Sequence, residues 1–204
     1  MLDFFFFPGS TYSYLAALRI GGLARAAGVT LRWRPFDVRA IMTEMDNRFL
    51  AGKPVKYRYM WRDIERRAAR HGLPWNGPPQ HPVDPEREAL RLATLAAMEG
   101  WGEDFAAASF RAWFAEHRSP GIGDTSAHVL AGLGRDPAGT LARAAAPEVS
   151  ARIEAETAAA RRLGIFGAPS FAVGEEIFWG DDRLEEALDW ARRPWLGTPI
   201  APVP

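Results

Sequence analysis

The hydrophobic pattern along this chain changes period twice. Residues 2–7 form a short, dense apolar run, rich in Phe and closed by Pro8-Gly9, which predicts a buried strand. Ser10-Thr11-Tyr12-Ser13 follows, with residue types that favour an N-cap. Leu15, Leu18 and Gly22 then recur at helical spacing as far as Gly28. Residues 29–36 alternate and predict a second strand. Strand, helix and strand within about 35 residues make a βαβ unit, parallel and joined by a right-handed crossover.

The middle of the chain reads as helical. Tyr57, Trp61, Ile64 and Ala68 keep a 3.6-residue period up to Gly72. Asp84-Pro85-Glu86 predicts a helix start, with Asp as N-cap and Pro at the first helical position, and the helix runs to Gly100. Further helices are expected over 103–117, 124–133 and 147–163, the last closed by Gly164. The period then shortens to two. Residues 171–173 and 177–179 are strand-like around the turn Gly174-Glu175, which predicts a hairpin. Asp181-Asp182 starts a final helix with Leu184, Leu188 and Ala191 on one face, ended by Pro194.

The order β-α-β, helical block, α, β-β-α predicts an α/β fold: a thioredoxin-like domain with a large all-helical insertion. On this reading, residues 1–37 and 147–194 form the thioredoxin-like domain, 38–146 the helical insertion, and 195–204 an extended tail.

Composition narrows the chemistry. The 204 residues are 48% apolar, and 25 basic residues balance 25 acidic ones, so no basic excess points to nucleic acid. Only two of the basic residues are lysines, Lys53 and Lys56. No apolar run reaches the length of a membrane span, and the start lacks the basic segment of a signal peptide, so no membrane partner and a cytoplasmic location are expected. There is no cysteine, which removes disulfides, thiolate metal ligands and a protein thiol nucleophile together. Any thiol chemistry must come from a bound molecule. His71, His81, His117 and His128 are scattered without metal-ligand spacing.

Four segments could carry function. Ser10 sits after a strand and at a helix start, where free backbone N–H groups and the helix dipole favour an anion; its plain role is an N-cap. Ala168-Pro169 leads into the penultimate strand, either as a simple strand start or as a cis bond that exposes backbone to a peptide-like ligand. Asp181 and Asp182 serve as helix caps or as the acidic side of a pocket for a zwitterion. In the stretch from Asn47 to Tyr57, Lys56 lies near a helix start, where a cation opposes the dipole; it is either solvated or matched to an anionic ligand.

Three separated motifs give a resemblance. They are residues 3–16 (DFFFFPGSTYSYLA), Lys56-x-x-Tyr59-Met60-x-x-Asp63-x-x-Arg66-x-Ala68 with Gly72-Leu-Pro74, and Gly164-Ile-Phe-Gly-Ala-Pro-Ser-Phe171 followed by Phe178-Trp-Gly-Asp-Asp-Arg-Leu184. Together, in this order, they resemble the 2-hydroxychromene-2-carboxylate isomerase family, relatives of DsbA and of kappa-class glutathione transferases. The resemblance implies glutathione as cofactor, a homodimer, and a small aromatic keto acid as substrate. It implies that Ser10 contacts the glutathione sulfur, where DsbA-like relatives have a redox cysteine. It further implies that Ala168 and Pro169 meet the tripeptide backbone, that Asp181 and Asp182 form the γ-glutamyl pocket, and that Asn47, Lys56 and Tyr57 lie on the substrate side. The implied reaction is a glutathione-dependent cis-trans isomerisation of 2-hydroxychromene-2-carboxylate and trans-o-hydroxybenzylidenepyruvate, by thiolate addition, rotation and elimination. A kappa-like glutathione transferase and a non-catalytic thiol-peptide binding module remain the alternatives.

Overall fold

Strand β1 (Leu2–Phe6) is buried along its whole length, as an unbroken apolar run requires when both faces of a strand are covered. The structure, a computed structural model, describes residues 1–47 and 52–193. β1 pairs in parallel with β2 (Leu31–Pro35) and antiparallel with β3 (Ser170–Val173), which pairs antiparallel with β4 (Glu176–Trp179). The sheet order is β2-β1-β3-β4. Helix α1 (Thr11–Ala27) joins the two parallel strands and ends at Gly28, whose left-handed φ of 66° lets its N–H reach back to the carbonyls of Ala24 and Arg25.

Between β2 and the return helix α8 (Pro147–Arg162) the chain is helical: α2 (Val38–Glu44), α3 (Pro54–His71), α4 (Glu88–Met98), α5 (Gly102–Glu116), α6 (Thr125–Gly132) and α7 (Pro137–Ala144). A turn of 3-10 helix (Asp181–Arg183) leads into α9 (Leu184–Arg192). This is the thioredoxin-like architecture with inserted helices that the element order predicts. The helix stop at Pro194 and the tail at 195–204 lie outside the described residues.

The two faces of the sheet differ in chemistry. On one, Phe4 stacks on Phe6 and Phe171 at 5.2 and 5.5 Å, and Trp33 meets Phe4 and Phe6 edge-on. On the other, Asp3 is nearly buried and accepts hydrogen bonds from Arg32 Nε at 2.7 Å and Arg34 Nη1 at 2.8 Å. Arg34 Nε donates to Glu156 of α8 at 2.6 Å, so both buried carboxylates have charged partners.

Two short helices go beyond the sequence expectation. α2 buries only Val38 and Ile41, too few positions for a period to be read. α7 starts at Asp136-Pro137, with Asp136 accepting from the Gly139 N–H, a start signal of the same kind that marked other helices. One expected start is corrected: α4 begins at Glu88, not behind Asp84-Pro85. Asp84 and Arg87 both adopt left-handed φ, and the buried Asp84 carboxylate reaches forward to the N–H groups of Ala89 at 2.9 Å and Leu90 at 3.1 Å. Its backbone N–H donates to Pro120, and a Cβ at Gly121 would lie 2.2 Å from its Oδ1. The acid still caps the helix, but from outside it.

An aromatic cluster joins α3, α5 and the loop before α4. His81 stacks on Trp113 at 6.3 Å and faces Trp61 at 6.1 Å and Tyr57 at 6.4 Å. Burial, with the nearby charge of Arg39, pushes its imidazole down to about 4.

Two stability predictions follow from these features. Asp84→Ala leaves two buried N–H groups without acceptors and should lower unfolding free energy by about 3 kcal/mol in urea titration. For His81, the unfolded imidazole titrates near 6.5, so on acidification the unfolded chain takes up this proton first. Its contribution is whole above that pH and is lost as pH falls towards 4. Relative to His81→Gln, the wild type should therefore lose roughly 2 kcal/mol between about pH 7.5 and 4.5, by urea titration at each pH.

Candidate active site

The site begins at the turn from β1 into α1. Ser10 is the N-cap: its Oγ accepts from the Ser13 N–H at 3.2 Å, as its residue type predicts. The same hydroxyl donates to the carbonyl of Ala168 at 3.0 Å, across 158 residues of sequence. The Ala168–Pro169 peptide is cis, and so is His81–Pro82. The Pro169 carbonyl in turn accepts from the Gly180 N–H at 3.0 Å, which sets Asp181 and Asp182 beside the same edge. Ser10, Ala168, Pro169, Asp181 and Asp182 are thus joined through consecutive contacts.

The first turn of α1 carries no acidic side chain, so nothing there offsets the positive end of the helix. Beside it opens a cavity of about 360 Å³. Phe7, Val38, Met42 and Tyr57 give it apolar and aromatic walls; Gly9, Ser10 and Ala168 form its base; Arg39, His81 and Pro82 complete it. A comparable cavity of about 390 Å³ beside β2 is lined by charged groups and contains neither Ser10 nor Ala168.

The two acids differ. The Asp181 side chain is 1% exposed, with Arg67 Nη2 2.9 Å from its Oδ2, and Arg19 donates to its backbone carbonyl at 3.1 Å. Burial pushes its carboxyl up to about 6, against the pull of Arg67 and Arg19. Arg67 lies close as an ion pair but is not aligned as a donor, so Oδ2 remains a buried acceptor without a hydrogen bond. Asp63 extends the network: Tyr12 donates to its Oδ2 at 3.1 Å and Arg66 to its Oδ1 at 3.0 Å. Burial and the Asp63 charge push the Tyr12 phenol up, so it stays a donor. The Asp182 side chain, by contrast, is 51% exposed.

The predicted substrate-side residues separate. Tyr57 lines the cavity. Lys56 is exposed in the first turn of α3 and does not line it. Asn47 is exposed beyond the end of α2, its N–H on the Met42 carbonyl at 2.8 Å, and does not line it either. Sequence reasoning passed over Arg39, Met42 and His81. Arg39 and Met42 sit on the short helix that had no readable period, and His81 carried only its scattered position as a signal.

Among the described residues, no group of three or more His, Asp or Glu is arranged to hold a metal, and no helix is long and apolar enough to cross a membrane.

Comparison with known proteins agrees with the fold. Residues 1–189 match the DSBA-like thioredoxin domain. The 2-hydroxychromene-2-carboxylate isomerase of Sphingobium xenophagum is 33% identical over 194 residues, covering 90% of this chain and 94% of its own. A solved structure of a 2-hydroxychromene-2-carboxylate isomerase superposes with a TM-score of 0.79 at 27% identity, over 91% of both chains. The cytosolic disulfide reductase DsbM from Pseudomonas aeruginosa, solved with GSH, shares the fold at a TM-score of 0.64 and 19% identity, over 93% of this chain and 95% of its own. The chain belongs to the DSBA-like thioredoxin-domain family and, within it, to the family of the 2-hydroxychromene-2-carboxylate isomerases.

Proposed function

We propose that this protein is a glutathione-dependent isomerase interconverting 2-hydroxychromene-2-carboxylate and trans-o-hydroxybenzylidenepyruvate, or a closely related aromatic keto acid. The observation that carries the reading is the Ser10 hydroxyl: it caps a helix at the base of an aromatic-walled cavity in a chain without cysteine. The relatives that share most of the chain are named isomerases.

The residues present fit glutathione. Ser10 would face the sulfur, the backbone at Ala168 and Pro169 would meet the peptide, and the exposed carboxylate of Asp182 suits an ammonium, with Asp181 buried behind it and paired with Arg67. A reductase of this fold has been solved with GSH. When bound, glutathione supplies a thiolate, the nucleophile this chain does not itself carry.

The chain's own residues then do three things. The helix N-terminus favours negative charge at Ser10 by about 0.3–1 kcal/mol, where a free thiol would ionise near 8.5. The Ser10 hydrogen can turn from the Ala168 carbonyl towards an anion at the cost of one hydrogen bond, while the Ser13 N–H continues to hold the oxygen. Phe7, Met42 and Tyr57 bury an aromatic ring and exclude water around the reacting bond.

Ultraviolet absorbance follows the interconversion directly. Turnover should require glutathione, and Ser10→Ala should lower kcat by about 10–1000-fold, the cost of one oxyanion-type donor. Equal rates without glutathione would overturn the reading, as would conjugation of halogenated aromatics in place of isomerisation. By calorimetry, Asp182→Ala should weaken glutathione binding by about 0.5–1 kcal/mol, the range of an exposed ion pair.

A further inference from the structure

The cavity holds a cation that feels the charges of Asp84 and Asp37 at a distance but touches neither carboxylate. Arg39, the second residue of α2, is half-buried and lies with its guanidinium 4.6 Å over the Phe7 ring. Its Nη1 donates to the Asp84 carbonyl at 2.8 Å and its Nη2 to the Val83 carbonyl. These bonds use two of its five N–H donors.

The acids nearby are committed elsewhere. Asp84 gives its carboxylate to the N–H groups of Ala89 and Leu90. Asp37 caps α2 and pairs with Arg87 at 3.0 Å. Among the described residues no carboxylate oxygen lies within 4.0 Å of Arg39. The imidazole of His81, also on the cavity wall, is neutral above about pH 4 and adds no competing charge near neutrality. A half-buried charge whose counter-charges stay out of contact leaves room for a ligand carboxylate to supply a direct partner.

We infer that Arg39 is the carboxylate anchor of this cavity and restricts it to aromatic acids in their anionic form. Two carbonyls and an aromatic face orient the guanidinium, and its remaining donors offer the fork that matches a carboxylate. Phe7, Met42 and Tyr57 accept the aryl group alongside. The inference rests on the isomerase reading for its choice of substrate, and it assigns to Arg39 the role that Lys56 held on sequence grounds. It also gives a physical reason for an acid-selective isomerase over a transferase of neutral electrophiles.

Binding of unreactive probes tests it without turnover. Calorimetry with cinnamate and with cinnamamide, which share a ring and differ in charge, should show the wild type favouring the acid by at least about tenfold, the range of a charge-assisted hydrogen bond. Arg39→Gln should abolish that preference while glutathione binding is unchanged. Arg39→Lys should retain part of it, and thermal unfolding would confirm that both variants are folded. No cinnamate binding at millimolar concentration, equal binding of acid and amide by the wild type, or a preference surviving in Arg39→Gln would overturn the inference. Acid selectivity lost with Arg39 in a protein that turns over no keto acid would sink the isomerase reading and leave the anchor standing. Glutathione-dependent isomerisation with selectivity indifferent to Arg39 would do the reverse.

Discussion

One hydroxyl ties the site together. Ser10 Oγ is held by the first turn of α1 and donates to the carbonyl before Pro169, so it joins the turn after β1 to the entry of its neighbour β3. The turn at Asp181 is placed through the next contact along, from Gly180 to Pro169. The helix terminus, the exposed backbone and the acidic turn therefore share one edge because a single N-cap side chain also satisfies a distant acceptor. Other hydrogen-bonding side chains could cap the helix. The reach to Ala168 at 3.0 Å is what turns a cap into part of a site.

That edge can be precise because the sheet beneath it is rigid. β1 is central and covered on both sides, with stacked aromatic rings on one face and the Asp3–Arg34–Glu156 ion pairs on the other. Buried charges of this kind contribute little net stability, yet each becomes costly if its partner is displaced. Slippage of β2 or α8 would break those pairs, so the network resists sliding more than it adds to folding free energy.

The site around Ser10 treats its charges in contrasting ways. The Asp181 carboxyl is raised by burial although two arginines attend it, whereas Arg39 stays beside the cavity with carbonyls and a ring for company. His81, between tryptophans, is kept neutral. The exposed Asp182 carboxylate on one side of Ser10 and Arg39, which no carboxylate touches, on the other suit a zwitterionic peptide and an anionic aromatic ligand meeting at the hydroxyl.

Much of this was legible in the order of residues. The dense run at 2–7, Ser10 before a helical period and Pro169 before a hairpin are local signals. Each depends on chain stiffness, capping or alternation within a few residues, so β1, α1, β3 and β4 and the Ser10 cap could be read directly. Asp84 was recognised as a cap, but its true reach of five and six residues depends on left-handed φ at Asp84 and Arg87, with Asp84 held by its N–H bond to Pro120 and its packing against Gly121. The cavity wall was beyond local reasoning. Lys56 and Tyr57 are neighbours in sequence, yet helix geometry turns Tyr57 inward and leaves Lys56 in solvent. Arg39 gains its meaning from Phe7, Val83 and Asp84, residues distant in sequence that meet only once β1, α2 and the loop before α4 have packed. Sequence determined which elements form and which residue begins the site. Tertiary structure decided which charges face the cavity, because that depends on which carboxylates are already spent.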